Sequence, residues 1–194
     1  MNSLLKVFNL LITGITPAAK TLMRVLPILS LCSCAAMGSV CSTDWKVTGY
    51  YSPIESEFPS VRKSRVMVQD LSWVNFNQSF LAEVKLEGWG LTRFGWYLGY
   101  YSNKWHKSLT PLDSMGRSLE LGTVAIDREY LQIGNTVSIP ELNPVLGRTM
   151  FVASDTGSAI KRKHIDVYTG EGQLAKIASW KVTGNKRVCV SSTL

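Results

Sequence analysis

The chain has 194 residues, 45% hydrophobic and 18% charged, with 15 Gly and 7 Pro, which suits one globular domain with at most a short appendage. That apolar content excludes a disordered chain, the glycines keep no collagen period, and apolar residues concentrated only ahead of Cys41 exclude a polytopic membrane protein. Twenty-one Lys plus Arg against 14 Asp plus Glu give a formal charge of +7; without long basic stripes to neutralise many phosphates, nucleic acid is not an expected partner.

Residues 1–40 read as an export segment: Lys6, Lys20 and Arg24 precede the apolar stretch 25–33, and no acid appears before Asp44. The apolar run is too short for a permanent membrane span. Two processing outlines compete. Leu31-Cys32-Ser33-Cys34 has the form of a lipobox with Cys34 as the lipidated residue, which would give a lipid anchor to a membrane, and Ala36-Met37-Gly38 has the small-x-small form of an ordinary signal-peptidase site. Either leaves Cys41 and Cys189, and two such cysteines in an exported chain are expected to form a disulfide. His106 and His164 are the only histidines and no C-x-x-C pair survives, so zinc and other metals are not expected, nor any cofactor.

Residues 41–194 read as one domain. In chain order the pattern predicts a strand at 45–51, a surface loop at about 52–77, and strands at 80–86, 91–101, 122–126, 136–139, 149–154 and 164–168. A short helix at 171–177 and strands at 179–183 and 187–190 complete it. Many short strands without long helices make an all-β fold, a closed barrel or a sandwich, which removes open sheet edges.

Three aspartates end predicted strands: Asp127 in Gly122-Thr-Val-Ala-Ile-Asp127, Asp155 in Asp155-Thr-Gly-Ser-Ala-Ile160, and Asp166 in His164-Ile-Asp-Val-Tyr168. Singly, each suits a turn or cap. Together they suit acid/base chemistry, because a carboxyl held beside other carboxylates keeps its proton to higher pH. The cluster of Trp89, Phe94, Trp96, Tyr97, Tyr100, Tyr101 and Trp105 is read mostly as core, with Trp105, next to His106 and Lys107, as an exposed ring able to stack on a sugar.

These aspartate strings, with Val47-Thr-Gly-Tyr-Tyr51, Ile133-Gly-Asn-Thr-Val-Ser-Ile139 and Gly170-Glu-Gly172, resemble the 3D (three-aspartate) domain. That domain is shared by the membrane-bound lytic transglycosylase A family and by small muralytic enzymes of the stationary-phase-survival type. The resemblance implies a six-stranded double-psi β-barrel with extra strands and a short helix. It also implies a peptidoglycan lytic transglycosylase that cuts the bond between N-acetylmuramic acid and N-acetylglucosamine to leave 1,6-anhydromuramic acid, acting on glycan strands in the periplasm or cell envelope. The short interval between Tyr51 and Asp127 predicts the single-barrel subtype, with no room for the inserted second domain of the larger enzymes. Carried over by motif, Asp166 is the acid/base and Asp155 and Asp127 support it; Thr48, Tyr50, Gly157, Ala159 and Lys161 meet the substrate. Ser158 and Arg162 stand where the family has glycines. Two other functions stay open. A noncatalytic glycan-binding barrel would need groove aromatics but no Asp166, and a homodimeric aspartic peptidase would use Asp155-Thr-Gly but leave Asp166 without a role.

Overall fold

The computed structural model describes residues 39–59 and 62–191; the export segment expected at 1–40, with Cys34, lies outside them except for its last two residues. Along the chain come β1 (Ser39–Ser52), β2 (Lys63–Met67), β3 (Trp73–Asn77), α1 (Gln78–Glu87), β4 (Trp89–Leu91), β5 (Tyr97–Tyr101) and β6 (Lys104–Ser108). After them come β7 (Thr123–Ile126), β8 (Thr136–Ser138), α2 (Asn143–Leu146), β9 (Met150–Asp155), β10 (His164–Glu171), α3 (Gly172–Val182) and β11 (Gly184–Ser191).

Six of these strands close a barrel in the order β1-β10-β7-β9-β8-β11. β1 runs parallel to β10 and β7 parallel to β9, while the remaining pairs are antiparallel, as expected of the double-psi arrangement. Alternate residues point inward, so Val47, Val124, Ile126, Val137, Phe151, Ile165, Val167 and Val188 fill the interior and are all but inaccessible. Cys41 lies opposite Cys189 in the β1–β11 ladder, with Cα atoms 3.9 Å apart, and the two form a disulfide. The expected bond is present. It closes 148 residues, which chain entropy values at roughly 5 kcal/mol as an upper figure.

Between β1 and β7 the chain builds a second lobe rather than a loop. The stretch 52–77 contains a 3-10 turn and the β2–β3 hairpin, and β4, β5 and β6 form a three-stranded sheet. α1 joins them over a separate core of Val68, Phe76, Phe80, Leu81, Val84, Trp96, Leu98 and Trp105. The surface loop expected at 52–77 is therefore corrected, because aromatic side chains let a short insertion bury enough surface to hold together. Buried Glu55 anchors it, pairing with Arg93 and accepting from the Asn77 backbone N–H.

Two predicted strands are helical. At 80–86 the buried residues Phe80, Leu81 and Val84 share one helix face, Asn77 caps the start by accepting from the Ser79 and Phe80 N–H groups, and Gly88 ends the helix at φ +92°. Residues 179–182 continue α3, whose buried Ala175, Ser179 and Val182 recur at helical spacing. α3 lies close on β1: a Cβ at Gly49 would come within 2.7 Å of the Ser179 Cα, so only glycine fits there. The predicted 91–101 strand is a hairpin, β4 and β5, turning at Gly95.

Candidate active site

The barrel's period of two also builds the site. In the parallel β1–β10 ladder Lys46, Thr48 and Tyr50 stand beside His164, Asp166 and Tyr168. Their neighbours Val47, Ile165 and Val167 point into the core, so these six side chains share the outer face. Asp166 then pairs with Ala125 of β7, and Ala125 with Asp155 of β9. One row across the barrel wall thus carries Thr48, Asp166 and Asp155. Above that row lies a groove of about 720 Å³, with Asp166, Asp155, Tyr50, Gly157 and Ala159 on the barrel side and Lys85, Glu87, Trp89, Tyr100 and Tyr101 on the insertion side.

Burial pushes the Asp166 carboxyl up to about 6, the nearby Asp155 adds to the rise, and Thr48, whose Oγ1 is 2.6 Å from Asp166 Oδ1, opposes it. Asp155 accepts three hydrogen bonds, from the Tyr50 hydroxyl at 2.8 Å and from the backbone N–H groups of Ser114 and Thr156 at 2.9 and 2.8 Å. Burial raises its pKa, while these donors pull the other way and favour the carboxylate. The pair is built for unequal work. Asp166 can hold a proton near neutral pH, while the three donors on Asp155 offset part of its burial and favour its charge.

Asp127 is not in the groove. Its carboxylate accepts the Arg162 N–H at 2.6 Å and the Glu129 N–H at 3.1 Å, and these bonds hold its pKa below the usual carboxylate value. It clamps the turn into β10, where Arg162 sits at φ +60°, a backbone conformation that favours glycine. The expected electrostatic support of Asp166 by Asp127 therefore gives way to a structural one. Lys161 and Arg162 are exposed and do not line the groove, and Lys163 is paired with Asp44 at 2.8 Å; the cation that acts on Asp166 is Lys46. Trp105, expected at the surface, is buried in the insertion's core beside Tyr100, and Trp89, Tyr100 and Tyr101 take its place at the groove.

The sequence reading missed Glu87. The last residue of α1, it lines the groove, accepts the Tyr51 N–H at 3.1 Å, and is pushed up to about 7, chiefly by burial and further by Asp166. The signal that would have found it is the pairing of the Asn77 cap with Gly88 as a helix stop, which places Glu87 at a helix end. Among the described residues no group of three His, Cys, Asp or Glu is placed to hold a metal ion.

Residues 122–190, from the start of β7 into β11, match the family model described as the 3D domain. The matched stretch takes in Asp127, Asp155 and Asp166. The chain's β1, with Thr48 and Tyr50, lies outside that stretch and completes the barrel. Among solved structures the chain is similar to MltA of Escherichia coli with bound chitohexaose, at a TM-score of 0.59 and 16% identity over 76% of this chain and 71% of that one. It is also similar to the membrane-bound lytic murein transglycosylase of Agrobacterium tumefaciens, at 0.56 and 14% over 79% and 76%. A further crystal structure of Escherichia coli MltA, described as revealing a unique lytic transglycosylase fold, matches at 0.51 and 16% over 77% and 72%. At such identity the likeness is one of fold. A search of curated proteins finds no match.

Proposed function

We propose that the protein is a peptidoglycan lytic transglycosylase, with Asp166 as the single acid/base. The observation that carries this reading is a buried carboxyl raised to about 6 in a groove of about 720 Å³, beside a second carboxylate that accepts three hydrogen bonds. The 3D-domain match and the likeness to lytic transglycosylase structures support it, and MltA's bound chitohexaose supports a glycan as the occupant of the groove.

In this mechanism Asp166 gives its proton to the glycosidic oxygen as the bond to muramic C1 breaks. The C6 hydroxyl of the same sugar then attacks C1 while its proton passes to Asp166, so 1,6-anhydromuramic acid forms and water is not consumed. Asp155 raises the proton affinity of Asp166 before the step and, by its charge, favours the cationic sugar that develops during it. Tyr50 holds Asp155 in place, and Trp89, Tyr100 and Tyr101 offer rings for the C–H faces of the sugars. The disulfide fits an oxidising compartment, so we place the protein in the cell envelope.

Glu87 gives a second reading. A second carboxyl in the same groove is what a hydrolase needs to activate water. Mass analysis of the products from purified peptidoglycan separates them: anhydromuramic ends support transglycosylation, reducing muramic ends assign hydrolysis, and no cleavage leaves the noncatalytic glycan binder.

A further inference from the structure

Among the described residues, the charged side chains that line the groove are Asp113, Asp155, Asp166 and Glu87, which are acidic, and Lys85, which alone is basic. Lys85 belongs to α1, on the insertion side. No carboxylate holds it: the ion pairs among the described residues join Arg93 to Glu55, Arg117 to Asp113, Lys163 to Asp44 and Lys176 to Glu83. Its Nζ lies instead 5.0 Å from the centroid of the Tyr100 ring and 5.6 Å from that of Trp105. Ring faces steady an ammonium without committing its N–H donors to an acceptor, so the charge stays open to an anion that enters the groove. Lys161 and Arg162 do not line the groove and offer that anion no second contact.

The chemistry of the strand says which anion reaches Lys85. In a β-1,4-linked glycan the C6 hydroxyl leaves one long edge of each sugar, and the substituents of C2 and C3 leave the opposite edge. Asp166 acts on the C6 hydroxyl from the barrel side, so the C2/C3 edge of the same muramic acid turns toward the insertion side, where Lys85 stands. C3 of muramic acid carries a lactyl arm. Its carboxylate is free on a bare strand and amide-linked to a carboxylate-bearing stem peptide on a substituted one. We propose that Lys85 binds the carboxylate at the end of this arm, and that the groove thereby selects acidic muramyl strands over neutral glycans. The proposal rests on reading Asp166 as the acid. Because the other charged groups of the groove are acidic, the arm has one favourable direction, and a strand placed with that arm toward Lys85 has its C6 hydroxyl toward Asp166.

Binding separates this from the catalytic reading. In the full chain carrying Asp166→Asn to block turnover, calorimetric titration compares neutral chitohexaose, a bare strand of alternating N-acetylglucosamine and N-acetylmuramic acid of the same length, and that strand bearing stem peptides. Adding Lys85→Met keeps the apolar stem over the two rings and removes the charge. It should weaken a carboxylate-bearing ligand about fivefold relative to chitohexaose, and Lys85→Arg should restore the difference. Added salt should shrink the same margin in the protein that keeps Lys85. A loss confined to the bare strand assigns the lactyl carboxylate, and one confined to the substituted strand assigns the stem peptide; either supports the site. An equal loss for all ligands, or none, overturns it and leaves Lys85 as packing on Tyr100 and Trp105. If wild-type protein releases no anhydromuramic ends but the Lys85-dependent preference is present, the acid role of Asp166 falls and the carboxylate site stands. If no ligand binds, the glycan reading of the groove and the Lys85 site fall together.

Discussion

Asp166 and Asp127 occupy neighbouring strands, β10 and the end of β7, and both belong to the three-aspartate pattern, yet the molecule treats them in opposite ways. Asp166 faces a groove that removes water and supplies one hydroxyl contact, and its carboxyl is raised to about 6. Asp127 faces a turn that supplies two backbone N–H donors, and its pKa is lowered. The surroundings of a carboxyl, and not its presence in a motif, decide whether it can act as an acid or serves as an anchor. A groove carboxyl is tuned for proton transfer at a cost in stability, whereas a turn carboxyl adds stability and stays ionised.

The sharpest way to break this contrast is Asp166→Asn. Anhydromuropeptide release should fall at least about 1,000-fold, since the amide keeps the shape but cannot exchange the proton. The same change should raise stability at pH 7. A folded carboxyl that titrates above its unfolded value of 3.8 binds its proton more tightly in the native state, so wild-type stability declines as pH rises from about 4 to about 6. Asparagine removes that decline, a gain of at most about 3 kcal/mol, readable by chemical denaturation at two pH values.

Asp155→Asn should act less severely, by roughly 100-fold. Removing the adjacent negative charge lets Asp166 ionise more readily, so the alkaline limb of the activity profile should also shift to lower pH. Asp127→Asn is expected to cost activity only several-fold but to lower the melting temperature. Because its folded pKa is depressed, the stability Asp127 contributes is complete above its ordinary value of 3.8 and fades as pH falls through the folded value. The difference in melting temperature between wild type and variant should therefore shrink in acid. The smallest effect is assigned to Arg162→Gly, which relieves a left-handed residue at φ +60° and should change stability by no more than about 1 kcal/mol, with activity retained.

The barrel was legible because its strands carry strict alternation: Ile165 and Val167 inward, His164 and Asp166 outward. Asp127 and Asp155 were legible because they close such strands, Asp166 because it alternates with core residues along β10, and Cys41 and Cys189 because they fall in the first and last strands. The insertion was not. In 80–86, Phe80, Leu81 and Val84 fit a short strand as readily as a helix face, and only the Asn77 cap and the Gly88 stop distinguish them. With α1 misread, Glu87 had no place in the groove and Trp105 was left exposed, although the insertion's core encloses it. Asp127 was found at the right strand end but given the wrong duty, because sequence shows a carboxyl and not the backbone N–H groups that a turn folds around it.

The most direct test of this account is a carbon-13 titration of the aspartate carboxyls in one sample of the folded protein, with Asp166 and Asp127 assigned by their asparagine variants. The account predicts that Asp166 titrates near pH 6 and Asp127 below its ordinary value of 3.8. Finding Asp166 at or below Asp127 would contradict it, because the groove would then hold no acid able to give up a proton to a sugar near neutral pH.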